Sequence, residues 1–161
     1  MSPATPAGRW PFPVALLVVA ADQGAKAWIV GMNLGIGGGP DVPGPLRITL
    51  VENPGISYGL FQSGADWTRW LFTAFALAVT VALAVWARRA ERLPAALGLG
   101  LIMGGALGNV ADRVFRGAVV DFIDARALGF PWIFNVADSA ITVGIMLLIA
   151  DSLIAPRRSV T

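Results

Sequence analysis

Four long apolar stretches alternate with more polar segments along the chain, at about residues 11–31, 67–87, 94–112 and 132–154. Each is close to the roughly 20 residues a helix needs to cross the hydrocarbon core of a bilayer. The pattern predicts an all-α membrane protein with four transmembrane helices, in one integral membrane domain over residues 1–161. Trp67 and Trp70 near one end of the second stretch and Trp86 near its other end are placed as interface anchors, and Trp132 opens the fourth. In the third stretch Gly100, Gly104 and Gly108 recur every fourth residue, a spacing that lets another helix backbone approach closely. No strand and turn precede them, so a dinucleotide fingerprint is the wrong reading.

The connections differ in character. Residues 88–93 make a very short, arginine-rich loop ended by Pro94, whereas residues 32–66 and 113–131 form long loops. The segment LGIGGGPDVPGP is rich in Gly and Pro and resists regular structure. After it, LRITLVENPGISYGLF reads as short strands around a turn at Asn53-Pro54-Gly55, and RGAVVDFID in the second long loop has the same strand character. The two outer loops are expected to pair as a small β-cradle, from 46–62 and 117–124. The opening MSPATPAGRW reads as a short disordered lead. Lead and first stretch also resemble a cleaved signal peptide, with AADQGAKA as the small-residue site. Against that, Asp22 and Lys26 share one helix face at i and i+4, where they can pair and point into a bundle.

Composition agrees with the spans. Of 161 residues 56% are hydrophobic and 14% charged, with a mean hydropathy of +0.69, as in an integral membrane protein. Cysteine and histidine are both absent, which removes disulfides, thiolate nucleophiles, imidazole bases and the common zinc sites. No metal or cofactor is expected. The net charge of +2 and the pI near 9.9 come from scattered arginines, which gives nucleic-acid binding no support. Arg9, Arg88, Arg89, Arg92, Arg157 and Arg158 fall on one side of a four-span bundle. By the positive-inside rule that side, with both termini, is the cytoplasm, and the long loops face outward despite Arg47, Arg113, Arg116 and Arg126.

Ionisable and amide side chains gather at the outward ends of the apolar segments, and such groups at membrane depth read as a functional site. Asp121 lies in the second long loop and Asp138 about one turn into the fourth span, so the two are placed to converge. Two carboxylates in one site do not both ionise easily; one stays protonated while the other acts as base toward water, the logic of an aspartic-protease dyad. Asp112-Arg113 reads as a structural ion pair or cap at the end of the third helix. Asn109 and Asn135 are suited either to hydrogen-bond a substrate carbonyl or the carboxylates, or to join helices. Asn53 either initiates a turn or belongs to the site, and Asp151 reads as solvated.

These motifs together resemble the lipoprotein signal peptidase, or signal peptidase II, family. The resemblance runs through DQGAK at 22–26, ENPGISYG at 52–59, GNVADRVFRGAVVDFID at 108–124 and FNVADSAITVG at 134–144, in the family's order. It implies a four-helix inner-membrane aspartic endopeptidase that cleaves diacylglyceryl-modified prolipoproteins just before the lipidated cysteine. It implies membrane lipid as a partner and an active site near the outer face. Asp121 and Asp138 match the family's catalytic aspartates; Asp22, Lys26, Asn53, Gly55, Asn109, Asp112, Arg113, Asn135 and Ala137 match its other signature positions. Pro54 and Ile56-Ser57-Tyr58 depart from the family's usual small residue followed by Ala-Ala-Phe, which bears on the substrate rim. From another class, a proton-coupled carrier or membrane chaperone would use the same acids as a relay, although four spans without paired inverted halves fit a carrier poorly.

Overall fold

The structure, a computed structural model, describes residues 5–40, 44–54 and 66–154. Four helices dominate it: α1 (Pro11–Gly31), α2 (Asp66–Ala87), α3 (Leu93–Phe115) and α4 (Val136–Ile154). All four are long and apolar enough to cross a membrane. Proline stands in the first turns of α1 and α3, where its missing N–H costs nothing. Helix α3 is the buried centre, packed against the other three, whose remaining faces are largely exposed, as a lipid-facing surface requires.

Glycine makes that central position possible on two faces of α3. Gly100 and Gly104 lie against α1, where an added Cβ would fall 2.7 Å from the carbonyl oxygens of Pro11 and Ala15 respectively. Gly98 and Gly105 lie against α4, where it would collide with the carbonyl oxygens of Gly144 and Ala137 respectively. Without these side chains the backbones approach closely, and van der Waals packing does the work that the hydrophobic effect cannot do in lipid.

A three-stranded antiparallel sheet caps one end of the bundle. Its strands are β1 (Arg47–Asn53), β2 (Val119–Asp124) and β3 (Ile133–Phe134), with β2 in the middle. Val51 stands opposite Asp121, Asn53 opposite Val119 and Arg47 opposite Asp124, with a bulge between Ile48 and Val51. On one side β1 is covered by the glycine-rich segment: Gly37 N donates to Leu50 O (2.8 Å) and Leu50 N to Gly38 O (3.0 Å). Leu50, Val120 and Phe122 bury their side chains with Ile29 at the end of α1 and with Val136, which seats the sheet on the helices. At the end of β2, Asp124 takes two hydrogen bonds from the Arg126 guanidinium (2.9 and 2.7 Å) and one from Thr49 Oγ1 (3.0 Å). Those Arg126 donors hold its carboxyl well below the usual carboxylate range despite burial.

The four-helix plan with a small sheet is therefore observed, with corrections at the edges. The fourth helix starts at Val136 rather than 132, because Ile133-Phe134 pairs with β2 as a strand and Asn135 ends it. Helix α3 runs to Phe115, three residues past the expected end. The lead is not loose over its described part: Ala7–Arg9 form a 3-10 turn, Thr5 N donates to Arg88 O (3.4 Å), and the Thr5 hydroxyl hydrogen-bonds the Ala90 carbonyl. Asp151 is not simply solvated but ion-paired to Arg92 (3.2 Å), so the α2–α3 turn, the lead and the end of α4 gather at the end opposite the sheet.

Candidate active site

Two local motifs deliver the two central carboxylates. Asp121 stands in the middle of β2, and Asp138 stands in the first turn of α4. That turn is closed by a reciprocal cap. Asn135 Oδ1 accepts the Asp138 N–H (2.9 Å), while Asp138 Oδ2 accepts the Asn135 N–H (3.3 Å). Such a box satisfies donors at a helix start that would otherwise be orphaned, and it fixes the χ1 of the aspartate.

Asparagines join the carboxylates. Asn135 Nδ2 donates to Asp121 Oδ1 at 2.7 Å, and Asn53 Nδ2 donates to Asp121 Oδ2 at 3.1 Å. Asn109 Nδ2 donates to Asp138 Oδ1 at 2.8 Å, and Asn135 Nδ2 also faces Asn109 Oδ1 at 3.1 Å. Burial pushes the Asp121 carboxyl up to about 6, helped by the charge of Asp138 and held back by the Asn53 and Asn135 donors and by the Lys26 cation.

Behind the asparagines lies a fully buried ionic cluster. Lys26 Nζ is 2.8 Å from Asp22 Oδ2, 2.7 Å from Asp112 Oδ2 and 3.1 Å from Asn109 Oδ1. The remaining lone pairs are used as well: Asp22 Oδ1 accepts the Ala137 N–H at the start of α4 (2.9 Å), and Asp112 Oδ2 accepts the Val120 N–H of β2 (3.1 Å). One cation and two carboxylates thus tie α1 and α3 to both elements that carry Asp121 and Asp138. The cluster needs the close approach of α1, since a Cβ on Gly108 would fall 2.7 Å from Asp22 Oδ2. Burial of such ions is tolerated only when every partner is in place.

The expected Asp112–Arg113 pair does not form. Consecutive helical residues point about 100° apart, so Asp112 faces α1 and pairs with Lys26 and Arg116. Arg113 faces α2 instead, with its guanidinium over the Phe72 ring and Nη1 donating to its own helix at Asn109 O (3.3 Å). Two further side chains, Gln23 and Arg116, join this cluster. Gln23 Nε2 donates to Asp112 Oδ1 and to Gly108 O, both at 3.1 Å, and Arg116 Nη1 donates to Gln23 Oε1 at 3.0 Å. Arg116 was legible as the i+4 partner of Asp112 on α3. Gly55 lies outside the described residues, as do residues 56–58 of the rim. Beside the site, an open and mainly apolar groove of about 570 Å³ has Asp138 on its wall, with Leu46, Leu128, Phe130, Trp132 and Val143 around it.

Fold and site together define a multi-pass membrane protein with a paired-carboxylate centre beneath a small sheet. The sequence profile described as signal peptidase (SPase) II matches residues 14–154. The chain is 48% identical over 147 residues to the lipoprotein signal peptidase of Caulobacter vibrioides, covering 89% of this chain and 86% of that protein. It is 45% identical over 146 residues to the enzyme of that name from Methylorubrum extorquens, covering 86% and 82%. A solved structure described as a bacterial membrane enzyme, determined by the in meso method at 1.9 Å, matches with a TM-score of 0.80 at 32% identity, over 97% of this chain and 99% of that one. The chain belongs to the signal peptidase II family, and its function is that of a membrane peptidase acting on lipoproteins. The carrier or chaperone reading finds no support in these likenesses.

Proposed function

We propose that Asp121 and Asp138 form an aspartic dyad that removes the signal peptide of diacylglyceryl-modified prolipoproteins by cleavage before the lipidated cysteine. The observation that carries this reading is the single asparagine, Asn135, that hydrogen-bonds Asp121 through its side chain and exchanges bonds with Asp138 through its cap. Asp121, whose carboxyl is pushed up to about 6, holds the proton. Asp138, at the positive end of the α4 dipole, is placed to carry negative charge. Asp138 then takes a proton from water as the water oxygen bonds the scissile carbonyl carbon, while Asp121 gives its proton to the carbonyl oxygen. Collapse of the tetrahedral adduct breaks the C–N bond, with the Asp138 proton passing to the departing amine of the lipidated cysteine and one hydroxyl proton of the adduct returning to Asp121 as the C=O re-forms. No covalent enzyme intermediate is needed. The apolar groove beside Asp138 suits a substrate that is part lipid and part extended peptide.

The pH profile tests this assignment. Because Asp121 must keep its proton, kcat/KM of the free enzyme is expected to fall as pH rises through about 6. With substrate bound, further desolvation favours the neutral acid, so the same limb in kcat lies at higher pH. A kcat/KM profile flat through that region would contradict the assignment of the proton to Asp121.

We further propose that both termini are cytoplasmic and the sheet faces outward. The lead and the α2–α3 turn, which carry Arg9, Arg88, Arg89 and Arg92, meet at the end of the bundle opposite the sheet. A reporter active only outside the cytoplasm is expected to work when fused after Pro40 and to be silent after Arg89. The reverse result would invert the topology.

A further inference from the structure

Resting on the aspartyl reading, we propose that Lys26 is a positioning residue of the reaction, its ammonium determining which edge of the Asn109 amide faces Asp138. An ammonium has three donors and no acceptor. Lys26 spends them on Asp22 Oδ2, Asp112 Oδ2 and Asn109 Oδ1, so the edge of Asn109 turned toward it must be the oxygen. The NH2 of Asn109 is thereby committed to Asp138 Oδ1, 2.8 Å away. Asn135 follows in turn: its NH2 faces Asn109 Oδ1 and Asp121 Oδ1, which leaves its own oxygen for the Asp138 N–H.

The consequence reaches the proton of the dyad. Asn135 and Asn53 present N–H groups to the two oxygens of Asp121, and Asn109 and the Asn135 backbone present N–H groups to those of Asp138, so with the Asn109 NH2 in place no neighbouring amide favours a proton on Asp138. Were Asn109 turned over, its oxygen would confront Asp138 Oδ1, and that contact is tolerable only if the proton moves there. The buried cation therefore selects between two proton arrangements of one geometry. Its counter-ions do the complementary work, since Asp22 and Asp112 hold the Ala137 and Val120 N–H groups of the two elements that carry the dyad. The charged groups around Lys26 are Asp22 on α1, Asp112 on α3, Asp138 on α4 and Asp121 on β2, with Arg113 and Arg116 of α3 as the nearby cations. Removing a cation close to Asp121 raises the pH at which that carboxyl loses its proton.

The test uses the purified full-length chain with a lipidated precursor, reading kcat and KM against pH. Lys26→Met leaves Asp22 unpaired in the bundle and risks failing to fold. The double variant Asp22→Asn/Lys26→Met removes one charge of each sign, keeps an acceptor for Ala137 N–H and leaves Asp112 paired with Arg116. For the double variant, kcat is expected to fall on the order of tenfold, what a misplaced buried hydrogen bond costs, with KM nearly unchanged. Its pH bell is expected to move to higher pH on the alkaline limb that Asp121 sets. Lys26→Arg, which keeps cationic donors, is expected to restore the position of the bell. The bell's position does not depend on how much enzyme is folded, so a loss of activity with unmoved limbs overturns the proposal. An unchanged kcat, or a double variant that cannot fold, does the same, the latter because Lys26 is then purely structural. Failure of the aspartyl reading shows separately, as turnover retained in Asp121→Asn or Asp138→Asn.

Discussion

Asp121→Asn and Asp138→Asn are each expected to lower turnover by about 10³-fold or more while leaving the protein folded, since each removes the acid or the base of one catalytic unit. An amide keeps the shape of the carboxylate, so the asparagine network around it loses individual hydrogen bonds but not its packing. The matched control is Asp151→Asn, which weakens the partly exposed pair with Arg92 at the far end of α4. A pair of that kind contributes little, and turnover is expected to stay at the wild-type value. Rates measured on equal amounts of folded protein decide it; near-normal turnover in either dyad variant would remove the aspartic mechanism.

Lipid dependence is the second large effect. Asp121 and Asp138 lie where the sheet meets the bundle, so a substrate must present an extended segment at the membrane interface. On the proposed reading, acyl chains leaving water gain about 0.8 kcal/mol per CH₂, and they would hold the cysteine next to the scissile bond at that depth. An unlipidated precursor must pay that positioning from its peptide contacts alone. Its kcat/KM is expected to be lower by about a hundredfold or more, as for a reactant held less well in register. A gel-shift comparison of one precursor with and without prior diacylglyceryl transfer measures this. Equal rates would remove lipid recognition and leave the carboxylate chemistry standing.

Much of the architecture was legible because membrane depth makes polar residues conspicuous. Asp22, Lys26, Asn109, Asp112, Asn135 and Asp138 stand out against apolar runs, and they do converge. What the pattern hid depends on contacts distant in sequence. The run Trp132 to Phe134 is apolar, and a short apolar run does not distinguish a strand from the first turn of a helix; pairing with β2 decides it. Adjacency suggested an Asp112–Arg113 pair, yet helical geometry turns those side chains toward different neighbours. The ordered lead follows from Thr5 reaching Arg88 and Ala90, which no local propensity encodes. Gln23 carries no local signal, because its role lies in bridging Asp112 and Arg116 across two helices.

The cleavage is expected to be specific and to require both Asp121 and Asp138. Its most direct measurement is intact-mass analysis of a diacylglyceryl-modified precursor incubated in detergent with the purified chain, its Asp121→Asn variant or its Asp138→Asn variant. The expected result is a single new product whose polypeptide begins at the lipidated cysteine, formed by the wild-type chain and by neither variant. Cleavage at any other bond, or the same product formed at an undiminished rate by either variant, would contradict it.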